Sequence, residues 1–284
     1  MPPAIDRTLT AKLLALGAIG LWATLAALGL ALAHVPPFLL TGLALLVGAL
    51  PALPFVRQWR VPAGTLALGV YGLFGFHFLL FIALRNAPAV EANLVNYLWP
   101  LLMVLLAPLL LPGMRLHGRH VVAALAGFAG AAVAILGAGG DAVGTGGWHW
   151  GYLPALGSAL IWSTYSLLCR RVAHFPTAAV GLFALVSGLL SLLCHWLLEP
   201  AVSLGWRDAA LIGLVGLGPM GAAFFLWDKA LKLGDARQIA VLSYLTPLAS
   251  TGLLVLVAGR GLGWHTLLAA ALIIGAAVIG TRGT

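Results

Sequence analysis

Asn93, Asn96, Tyr97 and Pro100 stand at i, i+3, i+4 and i+7 in an otherwise apolar stretch, so they share one face of a helix. Two amides and a phenol are costly in apolar surroundings unless they find partners, and such a face turns to a bundle interior or a water-filled cavity. Interhelical hydrogen bonding is the plainer use of these residues. Lining a cavity, they would hydrogen-bond the polar head of a solute. Pro100 adds a second argument. Proline has no N–H to donate, and its ring displaces the carbonyl four residues back. Pro100 is therefore expected to free the carbonyl of Asn96. Pro247, in the matching string Tyr244-Leu245-Thr246-Pro247, is expected to free that of Ser243. Carbonyls freed at bilayer depth need protein or cavity water as partners, and they suit a substrate ammonium. The same kinks would serve as hinges without touching substrate, so Pro100 and Pro247 are candidate hinges, and Ser243 and Tyr244 candidate contacts.

Aromatic residues provide the apolar counterpart. Trp22 and Trp162 occupy matching places in two apolar segments, with Tyr165 at i+3 and Ser158 at i−4 of Trp162. Phe74, His77, Phe78 and Phe81 form a stripe at helical spacing. Most such stripes are packing, yet beside the amide face they would complete an apolar pocket with a few polar contacts. His77 is the one ionisable group deep in a segment, either bonded to a neighbouring carbonyl or acting as a relay or ligand. His195 and Glu199 read as a surface pair, and Asp228 with Lys229 as local pairing or snorkelling near a helix end. Trp59, Trp148, Trp150, Trp206 and Trp264 lie near segment ends, as in an interfacial belt.

Catalytic and cofactor signatures are lacking. There is no His-Glu-x-x-His, no paired intramembrane Asp and no phosphate-binding Lys-Ser/Thr, and Cys169 and Cys194 lack metal spacing. A hydrolase built from Ser158 or Ser163 with His77 is the remaining enzymatic alternative. No cofactor or metal is expected. No carboxylate falls mid-segment, which argues for a facilitator or exchanger over a pump coupled to protons through one.

These residues need elements to hold them. Hydrophobic residues make up 62% of the 284 and charged ones 8%, a balance that belongs in a lipid bilayer. At about 20 residues per crossing, apolar runs divide the chain into ten spans: 12–34, 36–56, 64–86, 89–111, 118–138, 150–172, 177–199, 207–233, 235–257 and 263–281. The first is read as a retained helix, not a signal peptide. The net charge of +8 is spread singly or in pairs between spans, which sets topology and offers no nucleic-acid surface. One side collects Arg7, Lys12, Arg57, Arg60, Arg115, Arg119, Arg170, Arg171, Lys229, Lys232, Arg237 and Arg282. The other holds only Arg85, Arg207 and Arg260, with Glu91, Asp141, Glu199 and Asp208. Both termini are therefore expected in the cytoplasm.

The chain also repeats. Trp22, His34, Pro36 and Gly48 return as Trp162, His174, Pro176 and Gly188. Phe78, Ala83, Leu84 and Ala89 return as Phe225, Ala230, Leu231 and Ala236, and His120 and Gly130 as His265 and Gly275. The division expected is a first five-helix repeat over 1–140, a linker over 141–149 and a second repeat over 150–284. Five is odd, so the second half would sit inverted, an arrangement that places a substrate site near the midplane. The Gly/Ala-rich fifth and tenth spans read as scaffold or oligomer contacts.

Paired Trp residues in the first helix of each half and Tyr-Leu-x-Pro in the fourth resemble the drug/metabolite transporter superfamily, and within it the EamA-type exporters of the YddG type. The likeness runs over essentially the whole chain. It implies an all-α integral membrane protein of ten helices in the bacterial inner membrane, its central cavity built from helices one, three, four, six, eight and nine. The implied substrates are amino acids, chiefly aromatic and bulky neutral ones, with Tyr97, Pro100, Tyr244, Pro247, Trp22 and Trp162 carrying the site. Nucleosides or small neutral amino acids are the alternative cargo, and a membrane assembly protein the alternative outside transport.

Overall fold

The computed structural model describes residues 6–139, 147–258 and 264–281, without the side chains of 138, 139, 254–258 and 281. Most of the expected linker, with Asp141, and the topology-setting Arg260 and Arg282 lie outside the described residues. The described chain is all helix: α1 (Arg7–Ala23), α2 (Leu25–Ala31), α3 (Pro37–Ala49), α4 (Ala63–Val70), α5 (Phe76–Asn86), α6 (Ala89–Asn96), α7 (Trp99–Leu110), α8 (Gly118–Gly139), α9 (Tyr152–Leu168), α10 (Val180–Leu198), α11 (Trp206–Leu217), α12 (Ala223–Leu233), α13 (Ala236–Leu242), α14 (Leu245–Ala258) and α15 (Trp264–Thr281).

Several of these run on into longer rods. Among the described residues, seven helical runs are long and apolar enough to cross a bilayer: Arg7–Ala31, Pro37–Trp59, Ala63–Asn86, Ala89–Leu110, Gly118–Gly137, Thr177–Leu198 and Trp206–Leu233. The protein is thus a multi-pass membrane protein. Local chemistry sets the ends. Asp6 accepts from the Thr8 N–H and caps α1, so the first helix starts at Arg7 and not at the expected Lys12. Pro37 opens α3, where its missing N–H costs nothing. Asp235 caps α13 by accepting from the Arg237 N–H at 2.8 Å.

The rods are also interrupted in register. Tyr71–Gly75 and Gly218–Ala222 are π turns, as far apart in sequence as the repeated Phe78 and Phe225. Helical continuity lapses again at Tyr97-Leu98 and at Ser243-Tyr244, in the two matching strings. Such breaks concentrate at functional positions.

α8 packs along α15, α3 along α10 and α1 along α12, while α9 is held between α5, α6 and α7. Gly130 of α8 lies so close to α15 that a Cβ there would come 2.6 Å from Ile273. Large apolar side chains such as Leu30, Leu109, Trp196 and Leu267 face outward, as lipid contact requires. Trp148, Trp150, Trp206 and Trp264 are exposed as well. Trp59 is not, contrary to the expected belt position. The helical run from Pro37 reaches Trp59 through a 3-10 stretch, which tucks the ring inside.

Candidate functional site

Residues of α1–α3, α5–α7, α9, α11, α12 and α14, most of them buried or half-buried, line a cavity of about 520 Å³, in the size range of small-molecule sites. Its floor is a knot of rings at mid-bundle. Trp22 meets Trp162 edge-on with centroids 5.9 Å apart, and Trp162 lies 5.3 Å from Phe76 and 5.7 Å from Phe224. Trp99 is set edge-on to Trp162 at 6.4 Å. The knot is anchored through indole N–H groups. Trp22 donates to the carbonyl of Pro219, in the second π turn, at 3.1 Å. Trp227 lies beneath the floor, outside the lining, and donates to Ser166 Oγ at 3.1 Å. From the floor the lining climbs along Gly29, Leu40, Leu84 and Asn93 toward the end of the bundle where α3 and α6 begin.

Among the described residues lining the cavity there is no Asp, Glu, Lys or Arg. The polar wall consists of Asn93, Asn96 and Tyr97 from α6 and the helix break, Thr246 and Ser250 from α14, His77 from α5 and Thr41 from α3. The Thr246 hydroxyl is buried without a protein partner, as expected of a group that faces a ligand or water. Asn96 is held from behind: its Oδ1 accepts from the Ser158 hydroxyl at 2.8 Å, and Ser158 Oγ lies 2.7 Å from the Ala155 carbonyl. His77 Nδ1 lies 2.6 Å from the Leu73 carbonyl, in the first π turn.

Of the residues expected from sequence, Trp22, His77, Phe81, Asn93, Asn96, Tyr97 and Trp162 border this cavity, and Phe78, Ser158, Tyr165, Ser243 and Tyr244 do not. Ser158 touches it only through Asn96. Tyr165 packs on Trp162 at 5.4 Å and over Gly72, where a Cβ would come 2.2 Å from its ring. Tyr244 is fully buried beside Gly127, on the α8–α15 side. Phe74 and Phe78 stack with each other, and Phe78 packs on Phe38 at 5.7 Å. The inward face of α5 is Phe76, His77, Leu80, Phe81 and Leu84, and Phe78 falls on its flank, turned to Phe38 and Phe74.

The prolines also differ from expectation. The Ser243 carbonyl is not free, because it accepts from the Thr246 N–H at 3.0 Å in a tightened turn. Pro100 is buried in the first turn of α7, with the break two residues ahead of it, and lies outside the lining. Sequence reading missed Phe76, Trp99, Phe224, Thr246 and Ser250. Trp99 and Thr246 are in the two matched strings themselves; Phe224 stands beside the repeated Phe225 and follows the second π turn.

Two buried carboxylates flank the cavity. At the end where α3 begins, Glu199 is completely enclosed, not the surface partner expected. It accepts from the N–H groups of Phe38 and Leu39 at 3.0 and 3.1 Å, from Arg85 at 2.7 Å and from His195 at 3.0 Å. These amides are the free donors at the start of α3, where an anion also meets the helix dipole. The Arg85 guanidinium stacks 5.6 Å above Phe38. Below the floor, Asp228 accepts from the Thr177 hydroxyl at 2.7 Å and from Lys232 at 2.6 Å, while Lys229, the expected partner, is exposed. Lys232 also donates to the Phe175 carbonyl at 2.9 Å.

An all-helical membrane bundle around a central cavity of rings and uncharged polar groups defines a small-molecule carrier. The chain belongs to the EamA-like transporter family, whose sequence profile matches residues 9–136 and again 149–281. It is 43% identical over 281 residues to a protein of Ancylobacter novellus named aromatic amino acid exporter YddG, covering 96% of this chain and 97% of that one. The Salmonella typhimurium protein of the same name is 28% identical over 266 residues, covering 87% and 88%. The Escherichia coli one is 27% identical over 216 residues, covering 70% of each chain. A crystal structure 40% identical in sequence superposes with a TM-score of 0.89, covering 97% of this chain and 98% of that one.

Proposed function

We propose that the protein exports amino acids, chiefly aromatic and bulky neutral ones, across the bacterial inner membrane by alternating access around the central cavity. The observation that carries this reading is the composition of the wall. Aromatic rings form the floor, neutral hydrogen-bonding groups form one side, and no charged side chain stands among the described lining. A zwitterion with a bulky apolar body matches that division. The names of the relatives, aromatic amino acid exporters from three bacteria, support it.

In this reading ten spans form two inverted five-helix repeats, 1–140 and 150–284, joined by the linker 141–149, with both termini in the cytoplasm. The basic residues Arg57, Arg60, Arg115, Arg170 and Arg171 then lie at the sealed end of the cavity and Glu91, Glu199 and Asp208 near its mouth, so the structure stands open to the outside. The rod interruptions at Tyr97-Leu98 and Ser243-Tyr244, with Pro100 and Pro247 beside them, are the hinges of the inward transition. With no carboxylate among the described lining residues, the carrier works as a facilitator or exchanger. The substrate is a small molecule in contact with Trp22, His77, Phe81, Asn93, Asn96, Tyr97 and Trp162.

Uptake of labelled phenylalanine, threonine and uridine into proteoliposomes of the purified protein tests this, with and without an imposed pH gradient. Saturable phenylalanine flux, blocked by unlabelled tryptophan and indifferent to the gradient, is the expected result. Uridine flux without phenylalanine flux overturns the cargo, and flux driven by the gradient overturns the facilitator.

A further inference from the structure

Resting on the amino-acid reading above, we propose that the floor of the cavity holds the substrate carboxylate on three uncharged donors: the indole N–H groups of Trp99 and Trp162 and the side-chain N–H of Asn96. Ser158 is the positioning residue that keeps the Asn96 donor available. Arylalkanoic acids that lack an amino group are then a second class of ligand.

The four indoles at the floor differ in what their N–H groups do. Trp22 donates to the Pro219 carbonyl and Trp227 to Ser166 Oγ, each at 3.1 Å, so both are committed to the protein. The N–H groups of Trp99 and Trp162 have no partner among the described residues. They are not sealed off either, because Trp59 is the one described indole whose N–H is both enclosed and unpartnered. Trp99 and Trp162 line the cavity and are 6% and 4% exposed, so the surface they keep is cavity surface. An indole nitrogen donates and never accepts, so each of these groups takes its acceptor from a solute or from water.

The third donor stands beside them. Asn96 is three residues before Trp99, and Ser158 is one turn before Trp162. The two pairs face each other: the Ser158 hydroxyl donates to Asn96 Oδ1 at 2.8 Å, and the two indoles meet edge-on with centroids 6.4 Å apart. With its oxygen on Ser158, Asn96 is left with the hydrogens of Nδ2, which have no protein partner among the described residues, and its side chain lines the same cavity. Hydrogen bonds of about 2.9 Å from each oxygen let one carboxylate bridge donors grouped this closely. Acceptors nearby are already in use: Asn96 Oδ1 by Ser158, the Leu73 carbonyl by His77 and the Pro219 carbonyl by Trp22. With no Lys or Arg among the described lining, an anion here is held by hydrogen bonds alone. An N–H bond to a carboxylate is about twice as strong as one to an uncharged acceptor, which favours the acid over its amide.

The test is displacement of labelled phenylalanine from the purified, detergent-solubilised protein by 3-phenylpropionate, 3-phenylpropionamide and 2-phenylethylamine. The acid should displace about tenfold better than the amide or the amine, the difference that one charge-assisted hydrogen bond makes. Trp99→Phe and Trp162→Phe keep a ring and remove the N–H, and each should lower the acid-to-amide ratio several-fold. Trp22→Phe, whose N–H is committed to Pro219, should weaken both ligands alike and leave the ratio unmoved. A ratio lowered as far by Trp22→Phe as by the other two overturns the role of the indole N–H groups. Asn96→Asp replaces a donor by a like charge and should abolish the preference for the acid. Ser158→Ala lets the Asn96 amide rotate and should lower the ratio less. The ratio does not depend on how much protein is folded, so an unmoved ratio in Ser158→Ala overturns the positioning role. Equal displacement by acid and amide in the wild type, or a preference for the amine, overturns the carboxylate subsite and leaves the amino-acid reading intact. No displaceable phenylalanine binding at all overturns both.

Discussion

The two ends of the cavity both rest on a buried carboxylate, and they use it differently. At the mouth, Glu199 gathers four donors from three parts of the chain: the α3 amides, Arg85 at the end of α5, and His195 one turn back on α10. It ties together α3 and α5, two helices that border the mouth. At the sealed end, Asp228 has two partners, one on its own helix, and most of the closure comes from the rings above it. The mouth is thus latched by charge while the base is sealed by packing. Charge-assisted bonds depend on geometry and are lost together when helices separate. Aromatic contacts fade gradually and re-form in new pairings.

This contrast can be broken by substitution. The largest effect is expected from Glu199→Ala, which leaves His195 and two helix-terminal amides without an acceptor at a partly buried site, while Arg85, 43% exposed, regains water. It should cost about 3 kcal/mol, read as a fall of several degrees in the thermal midpoint in detergent. Asp228→Asn keeps an acceptor for Thr177 and should cost less, about 2 kcal/mol. Equal midpoint shifts in the two variants would remove the distinction between the ends. Trp22→Phe keeps a ring in the knot but loses the bond to Pro219, for about 1 kcal/mol. If the base is sealed by packing, that variant stays folded with substrate affinity changed more than stability. Pro100→Ala should slow exchange more than it weakens binding, and unaltered exchange kinetics would remove the hinge role.

The smallest effect concerns pH. Burial alone would raise the Asp235 carboxyl, but bonds from the Arg237 side chain and backbone outweigh it and hold this group below the ordinary carboxylate value. A group depressed by folding stabilises the protein above its unfolded pKa, near 4, and that contribution fades as pH falls through the lower folded value. Asp235→Asn should therefore flatten the acid limb of the stability profile without changing the midpoint difference between the two ends.

Much of the site was readable from single residues. The amide face of Asn93, Asn96 and Tyr97 and the paired Trp22 and Trp162 border the cavity because period and polarity alone dictate which side of an apolar helix turns inward. What was not readable is how far each face extends. Of the stripe Phe74, His77, Phe78 and Phe81, the fold turns His77 and Phe81 to the cavity, sets Phe78 against Phe38 and Phe74, and brings Phe76 and Leu80 into the lining. Glu199 reads in sequence as a surface partner of His195, and its enclosure was missed for another reason. Its partners at Phe38, Leu39 and Arg85 are distant in sequence, and two of them are backbone amides, which a sequence does not distinguish from any others.

Composition and apolar periodicity by themselves determined that this chain is a bundle of membrane helices, and the recurrence of Trp, Pro and Tyr-Leu-x-Pro marked its two related halves. Those properties depend on transfer between water and lipid and on the helical repeat, both of which are local. Only the tertiary structure decided which polar groups share one cavity, which carboxylate is enclosed and which hydroxyl holds the Asn96 side chain. Each of these depends on partners brought together from distant segments, and a hydrogen bond acquires its direction only when both of its atoms are in place.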